Sequence, residues 1–393
     1  MSRLDDLFAR ADDRVAQAMH SVADARRAAR RRLPRVVFDY VDGAADDELA
    51  MRRNEDAFRS IVFRTQMASG NTDPKLGVTV LGKALDFPVL LAPCGLVRLL
   101  HPDGAAGVAR AATSRGTVSV LSAVAGSPVE EVAEQSKVPV WFQLYAAGGL
   151  READAVCERA AGAGVEVLVV TVDTPTLGNR ERDIRNGVAP PLRVDTHNAV
   201  PLGFQVLARP RWAAQLAATG LRLTRRGAGL PGHGGGLLSS VASPFSWDDV
   251  VHLRRRWNGP FVVKGILTGE DARRAVASGA DAVIVSNHGG RQLDGAPATL
   301  DALPGVVGAV GDDAQVLVDG GVRRGSHVVA ALALGARAVL VGRPYLFALA
   351  AAGEGGVERI LDILRAEMRR TMVLMGCPSA EALCPDWLEP GRS

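Results

Sequence analysis

The sequence predicts an α/β protein built on a (β/α)8 TIM barrel, and three observations carry that prediction. Eight short apolar runs recur along the chain: Pro88 to Ala92, Thr117 to Leu121, Val138 to Tyr145, Val165 to Asp173, Phe261 to Lys264, Ala282 to Asn287, Gln315 to Asp319 and Ala338 to Gly342. Ala-rich, charged segments of helical length lie between most of them, such as Gly104 to Ala112, Arg151 to Ala161, Asp271 to Ser278 and Ser326 to Leu334. The runs are continuously apolar rather than alternating, which implies strands buried on both faces, as in a parallel sheet covered by helices. Eight such units favour a closed barrel over an open sheet.

Before the repeat, the Ala- and Arg-rich stretch to Arg32 reads as helix, Pro34 resets the chain ahead of Val36 to Tyr40, and Asp46 to Phe58 reads as another helix. The expected organisation is a single domain over 1–393: an N-terminal helical extension over 1–80, a barrel over 81–382 and a C-terminal tail over 383–393. Thr268 and Asp271 have capping-box spacing just after the Lys264 strand, with Asp in place of the commoner Glu. The rhythm breaks after the fourth strand. Residues 187–247 form a long insertion with Arg-Pro-Arg-Trp at Arg209 to Trp212 and a Gly-rich tract at Gly227 to Leu238. Loops of that length are normally functional or disordered, so the insertion reads as an active-site lid or docking surface with a mobile centre.

Composition narrows the class. Apolar residues make up 47% and charged residues 23% of the 393, an ordinary globular balance that argues against a disordered or fibrous chain. The net charge of +3 is small, with arginine spread along the chain, which gives weak grounds for anionic substrates and almost none for nucleic acid. No 18-residue apolar run is present and the first 32 residues are too charged for a signal peptide, so a cytoplasmic location is expected. Cys94, Cys157, Cys377 and Cys384 include no CxxC pair and match no common zinc spacing, so buried thiols and no metal site are expected.

The informative exceptions are polar groups at the ends of core strands. Ser122, Gln143, Thr171, Lys264, His288, Asp319 and Arg343 each lie at or just beyond a strand's C-terminal end, where barrels build their active sites. Within Ser286 to Asp294, glycines clear space around His288, an imidazole suited to proton abstraction. Arg291 follows three residues on, with a rigid donor fork suited to a carboxylate. The blander alternative is a hydrogen-bonded loop histidine beside a surface arginine. Asp319 to Gly325, then Gly342-Arg343-Pro344, place small residues and arginines after the seventh and eighth strands, the usual phosphate site of barrels. There is no dinucleotide fingerprint and no Walker motif, so a monophosphate cofactor or sugar phosphate suits the chain better than NAD or ATP. In Thr171 to Glu181, Asp173 is placed to orient His288 and stabilise its imidazolium, or else to brace the loop against arginine. With no nucleophile elbow in sight, acid–base chemistry is favoured over acyl transfer.

These motifs recur in one order: Leu33-Pro34 with Phe38-Asp39-Tyr40, Phe142-Gln143-Leu144-Tyr145, Thr171-Val172-Asp173, Val263-Lys264-Gly265, Ser286 to Asp294, Asp319 to Gly325, and Gly342-Arg343-Pro344. In them the chain resembles the FMN-dependent 2-hydroxy acid dehydrogenase and oxidase family, that of L-lactate dehydrogenase, glycolate oxidase, lactate oxidase and mandelate dehydrogenase. The resemblance spans about residues 33–382, excluding much of 200–246. It implies FMN as cofactor and oxidation of a small L-2-hydroxy acid, of lactate type, to the 2-oxo acid. By resemblance His288 is the base and Asp173 its partner, Arg291 and Tyr40 clamp the carboxylate, Arg180 assists at the pocket mouth, and Tyr145 meets the substrate hydroxyl. Lys264 matches the lysine beside flavin N1 and O2, where it stabilises the reduced ring. Ser122, Gln143 and Thr171 match contacts to the pyrimidine side, with Ser286 close by. Pro93, Cys94 and Gly95 match backbone along the isoalloxazine, Asp319 a ribityl partner, and Gly321, Arg323, Gly342 and Arg343 the phosphate cradle.

Two positions depart from the short-chain oxidases of the family, which generally carry Ala at the Gly95 position and in some cases an aromatic at the Val124 position. By the resemblance Gly95, which also occurs in mandelate dehydrogenase and lactate monooxygenase, leans slightly toward a dehydrogenase, and the small Val124 enlarges the pocket and admits longer or aromatic hydroxy acids. Quinone, dioxygen or a redox protein is the expected electron acceptor, and proton-first and hydride routes both stay open. The resemblance also implies a homo-oligomer such as a tetramer, while the Trp, Phe and Arg residues of the insertion allow peripheral contact with the inner face of a membrane. The competing readings are an oxygen-using oxidase or monooxygenase, a tailoring enzyme for a larger hydroxy acid-like metabolite or peptide, and a non-enzymatic flavin carrier.

Overall fold

The computed structural model describes residues 3–137, 139–145, 149–187, 196–225 and 245–389. Eight parallel strands form the central sheet: β1 (Val89–Leu91), β2 (Val120–Ser122), β3 (Trp141–Leu144), β4 (Leu168–Thr171), β5 (Phe261–Ile266), β6 (Ala282–Val285), β7 (Gln315–Asp319) and β8 (Ala338–Val341). Each pairs with its sequence neighbour from β2 to β8, and β8 pairs with β1. The last gap is bridged between Leu91 and Ser119, with the Leu91 N–H donating to the Val118 carbonyl at 3.0 Å. The sheet therefore curls into the expected barrel, and every one of the eight apolar runs supplies a strand.

Continuous apolarity has the anticipated cause. All residues of β1, β2, β3, β4, β6 and β8 are buried, with helices outside and packed side chains inside. The predicted intervening helices are present as Gly104–Ser114, Leu150–Gly162, Gly269–Ala277 and Gly325–Ala333. Thr268 caps its helix by accepting from the Asp271 N–H, and a full capping box that the reading passed over, Ser246 with Asp249, starts the helix Trp247–Arg256.

The N-terminal region departs from expectation in detail. The first helical stretch is two helices, Arg3–Gln17 and Val22–Arg32, and a third, Arg35–Asp42, follows Pro34 directly. The next helix begins at Leu49 rather than Asp46, because Asp46 and Glu48 have left-handed backbone (φ 44° and 61°). A hairpin, Val78–Val80 with Lys83–Leu85, was not anticipated. In the insertion, the described residues are largely helical, Thr196–Leu207 and Pro210–Arg225, rather than loop. Pro210 opens the second helix, where its missing N–H leaves no bond unmade. The Gly227 to Leu238 tract lies outside the described residues. Among those described, no helix is long and apolar enough to cross a membrane.

A buried ionic cluster ties these additions to the barrel. Asp12 pairs with Arg32 and, at 3.0 Å, with Arg211 of the insertion; His101 has Asp103 at 3.3 Å and Asp12 at 3.5 Å on its two ring nitrogens. The C-terminal helix Arg343–Met375 kinks at Ala352–Gly353, and beside that kink the Glu354 N–H donates to Asp103 at 2.8 Å. Burial works against a charged His101, but its two carboxylate neighbours outweigh burial and raise its pKa above 6.5. Burial would raise Asp103, yet the hydrogen bond and charge of His101 bring it down to about 2. The stabilisation from His101 is therefore complete below pH 6.5 and lost as pH rises through its raised folded value, while that from Asp103 is complete above 3.8 and lost as pH falls toward 2. Melting temperature should fall as pH rises above 6.5, and His101→Asn should flatten that limb. An unchanged slope in the variant would contradict the assignment.

Candidate functional site

The C-terminal ends of the barrel strands open into a cleft. Its wall includes Tyr40, Tyr145, Arg180, His288 and Arg291, together with Asp319, Gly321, Arg323, Gly342 and Arg343. Pro93, Cys94, Gly95 and Lys264 lie on the same wall. Asp173, Ser122, Gln143, Thr171 and Ser286 do not line it; they reach it through hydrogen bonds to residues that do, or sit buried at neighbouring strand ends.

His288 follows β6 in a tight turn with φ 57°, a left-handed conformation uncommon for a residue with a Cβ. Side-chain bonds hold it there. Asn287 accepts from the Gly290 N–H at 3.1 Å and exchanges two amide hydrogen bonds with Asn54, at 2.8 and 2.9 Å, while its Nδ2 also donates to the Pro297 carbonyl. The His288 N–H donates to Ser286 Oγ at 3.1 Å. Asn54 escaped the sequence reading, although a signal existed: it lies between Ala50 and Phe58 on the buried stripe of helix Leu49–Arg59, a polar residue where the i, i+4, i+8 pattern calls for an apolar one.

His288 Nδ1 lies 3.1 and 3.2 Å from the two oxygens of Asp173, and its Nε2 is 3.5 Å from the Tyr145 hydroxyl. Asp173 comes this close because β5 bulges between Lys264 and Ile266 at Gly265, where φ is 109° and an added Cβ would stand 2.7 Å from that of Asp173. Burial alone would raise the Asp173 carboxyl; the charge and hydrogen bond of His288, with Lys264 behind them, outweigh burial and hold it below the ordinary carboxylate range. Burial pushes the Tyr145 phenol well above its usual value, so it stays protonated and able to donate.

Among the described residues Arg180, Arg291 and Arg343 form no ion pair with a carboxylate. Arg291 donates to the carbonyls of Tyr40 and Gly43 at 2.7 and 2.8 Å, and its guanidinium lies 5.0 Å from the Tyr40 ring centroid. Arg180 Nε is buried without a hydrogen-bond partner among the described residues, and burial with neighbouring Arg291 presses its pKa down to about 10. Arg343 donates to the carbonyls of Val41, Gly289 and Gly43; burial, then Arg291 and Arg323, press it down to about 9. Arg323 pairs with Glu55 at 3.0 Å.

At the floor, Lys264 is buried, with Nζ 2.7 Å from Ser286 Oγ and 3.0 Å from Asp319 Oδ2. Burial opposes its charge, but Asp319 and Asp173 outweigh burial and raise its pKa. Ser122 donates to Gln143 Oε1 at 2.8 Å, and the Gln143 Nε2 has no partner among the described residues.

The description "FMN-dependent dehydrogenase" belongs to the family model that matches residues 29–390. This chain belongs to that family. It is thus an FMN-dependent oxidoreductase. This family member is 41% identical over 379 residues to an L-lactate dehydrogenase of Xanthomonas campestris pv. campestris (strain 8004), covering 94% of this chain and 96% of the relative. An L-lactate dehydrogenase of Azorhizobium caulinodans is 41% identical over 380 residues, with 93% and 97% covered. Among solved structures, the monotopic membrane protein (S)-mandelate dehydrogenase superposes with TM-score 0.84 at 35% identity, covering 95% of this chain and 99% of that one.

FMN fits the floor of this dehydrogenase. Three buried polar atoms, Gln143 Nε2, Thr171 Oγ1 and Asp319 Oδ1, have no partner among the described residues. Each such orphan costs about 1–3 kcal/mol unless something polar meets it. They sit on β3, β4 and β7 near the Lys264 ammonium, a donor and acceptor set suited to the polar edge of a flavin and a ribityl chain. Arg323, Arg343 and the Gly342 turn lie farther along the same cleft, where a phosphate would supply the missing negative charge.

Proposed function

We propose that this dehydrogenase oxidises an L-2-hydroxy acid, L-lactate or a relative, to the 2-oxo acid, with His288 as the base. The observation that carries this is the meeting, in one cleft, of the His288–Asp173 pair with the under-paired guanidiniums of Arg180 and Arg291. FMN, when bound, supplies the oxidising power by accepting the two electrons that the substrate's C2 loses. The substrate's carboxylate takes the place of the anion that Arg291 and Arg180 lack, with Tyr40 completing the clamp. His288 Nε2 takes up one of the two protons the substrate sheds. Asp173, ionised on the other ring nitrogen, stabilises the imidazolium that results. Tyr145, held protonated, donates to the substrate hydroxyl. Gln143, Thr171, Lys264 and Asp319 hold the cofactor's ring edge and ribityl chain, Ser122 and Ser286 orient them, Pro93 to Gly95 back the ring, and Gly321, Arg323, Gly342 and Arg343 hold the phosphate.

The acceptor in this reading is a membrane quinone, reached from the inner face of the membrane, and assembly as a homo-oligomer is part of it by family resemblance. Two features support membrane contact: Phe204 and Leu207, on the inserted helix Thr196–Leu207, are 71% and 75% exposed, and the (S)-mandelate dehydrogenase relative is a monotopic membrane protein.

His288→Ala should keep FMN bound but slow its reduction by L-lactate or another reducing L-2-hydroxy acid at least about 100-fold in stopped-flow absorbance; near-normal reduction would remove His288 from the role of base. For the membrane, flotation with anionic phospholipid vesicles should carry the wild type and leave the Phe204→Ser/Leu207→Ser variant behind. Equal flotation of both, or of neither, would reject this surface.

A further inference from the structure

The loop that follows β4 carries Asp173, Leu177 and Arg180, and the loop that follows β6 carries His288 and Arg291; Gln292 bonds one to the other. Its Nε2 donates to the Asp173 carbonyl at 2.9 Å and to the Thr176 carbonyl at 2.8 Å, and its Oε1 accepts from the Gly178 N–H at 3.1 Å. Both amide protons and the carbonyl are thus committed. Among the described residues, these three hydrogen bonds tie the backbone of residues 173–178 to the rest of the molecule beyond the strand end. The two loops touch backbone to backbone beneath it: a Cβ at Gly178 would stand 2.3 Å from the Arg291 carbonyl oxygen and 2.7 Å from that of Gln292.

We infer that Gln292 is a positioning residue that holds the β4 loop in register with the β6 loop, so that Leu177 and Arg180 face the substrate beside Arg291; this rests on the function proposed above. The physical need is plain. Leu177, Arg180 and Arg291 all line the cleft, and two guanidiniums brought together without an anion repel each other. Asp173 has other anchors: His288 on its carboxylate, the Gly265 bulge against its Cβ, and the Val172 N–H on the Lys264 carbonyl at 2.9 Å. Past Gly178 the chain is fastened again, by Asn179 to Asp46 and by Arg182 to Asp42 and Glu48. Between those anchors Thr174 to Gly178 depends on the Gln292 amide, so its loss should act on substrate binding more than on the proton transfer at His288.

The test uses the FMN-loaded full chain and four variants: Gln292→Met, which keeps size without the amide; Gln292→Glu, which keeps the acceptor for Gly178 but not the donors; Arg180→Ala; and Arg180→Ala with Gln292→Met. Amide hydrogen exchange in 174–178 should quicken about tenfold or more in the Met variant and by less in the Glu variant, with 261–266 unchanged in both. With L-lactate or L-mandelate, KM should rise about tenfold in Gln292→Met while kcat stays within about threefold. In the Arg180→Ala background the same change should alter KM by no more than about twofold, because the two residues act through one contact. Unchanged exchange in both Gln292 variants, a fall in kcat at constant KM, or fully multiplicative effects in the double variant would overturn the inference. If no L-2-hydroxy acid reduces the wild-type flavin yet exchange in 174–178 quickens in the variants, the clamp stands and the proposed function falls.

Discussion

A buried ammonium at the barrel mouth is the constraint around which the rest of the site is arranged. Lys264 is 3% exposed, and a lone cation so far from water would lose its proton or unfold its surroundings. It keeps its charge because Asp319 comes from the end of β7 and Ser286 from the end of β6. Ser286 in turn accepts from the His288 N–H, so the residue that helps solvate the lysine also fixes the turn carrying the imidazole. On its other side β5 bulges at Gly265, and the space left by the missing Cβ brings Asp173 against His288. One buried charge thereby couples four strand ends into a single arrangement.

The opposite imbalance prevails around that floor. Among the described residues Arg180, Arg291 and Arg343 converge on the cleft with carbonyls or nothing for hydrogen-bond partners, and burial, with the neighbouring guanidiniums adding to it, lowers the affinities of Arg180 and Arg343 for their protons. Helix Arg35–Asp42 and the Gly43 that ends it supply all of those carbonyls but that of Gly289, and helix Leu49–Arg59 supplies the Asn54 amide, so the extension added before the barrel forms part of the site wall as well as a cap on the barrel. Under the proposed function, a cleft left positive in this way would receive two anions, a phosphate and a carboxylate.

Much of this was legible in the sequence for identifiable reasons. Strands buried on both faces are written as unbroken apolar runs, so polar residues at their ends, from Ser122 to Arg343, stood out and converge here on one rim. Less legible were features whose signal is short or shared. The hairpin at Val78 to Leu85 has three-residue strands and turns at Leu81-Gly82 without an Asn-Gly or Asp-Gly signature. The inserted helices were hidden by Pro201, Pro210 and the neighbouring Gly-rich composition. Asn54 and Gln292 work through amides paired across more than 110 residues of sequence; Asn54 shows locally only as a polar break in the buried stripe of its helix, and nothing local distinguishes the Gln292 amide from a surface one.

The most direct measurement is the flavin absorbance of the purified protein under anaerobic conditions as L- and D-2-hydroxy acids of increasing size are added, followed by admission of air. The account predicts bleaching by an L-acid, little or none by its D-enantiomer, and slow recovery in air. Bound FMN that no 2-hydroxy acid of either hand can bleach would contradict it.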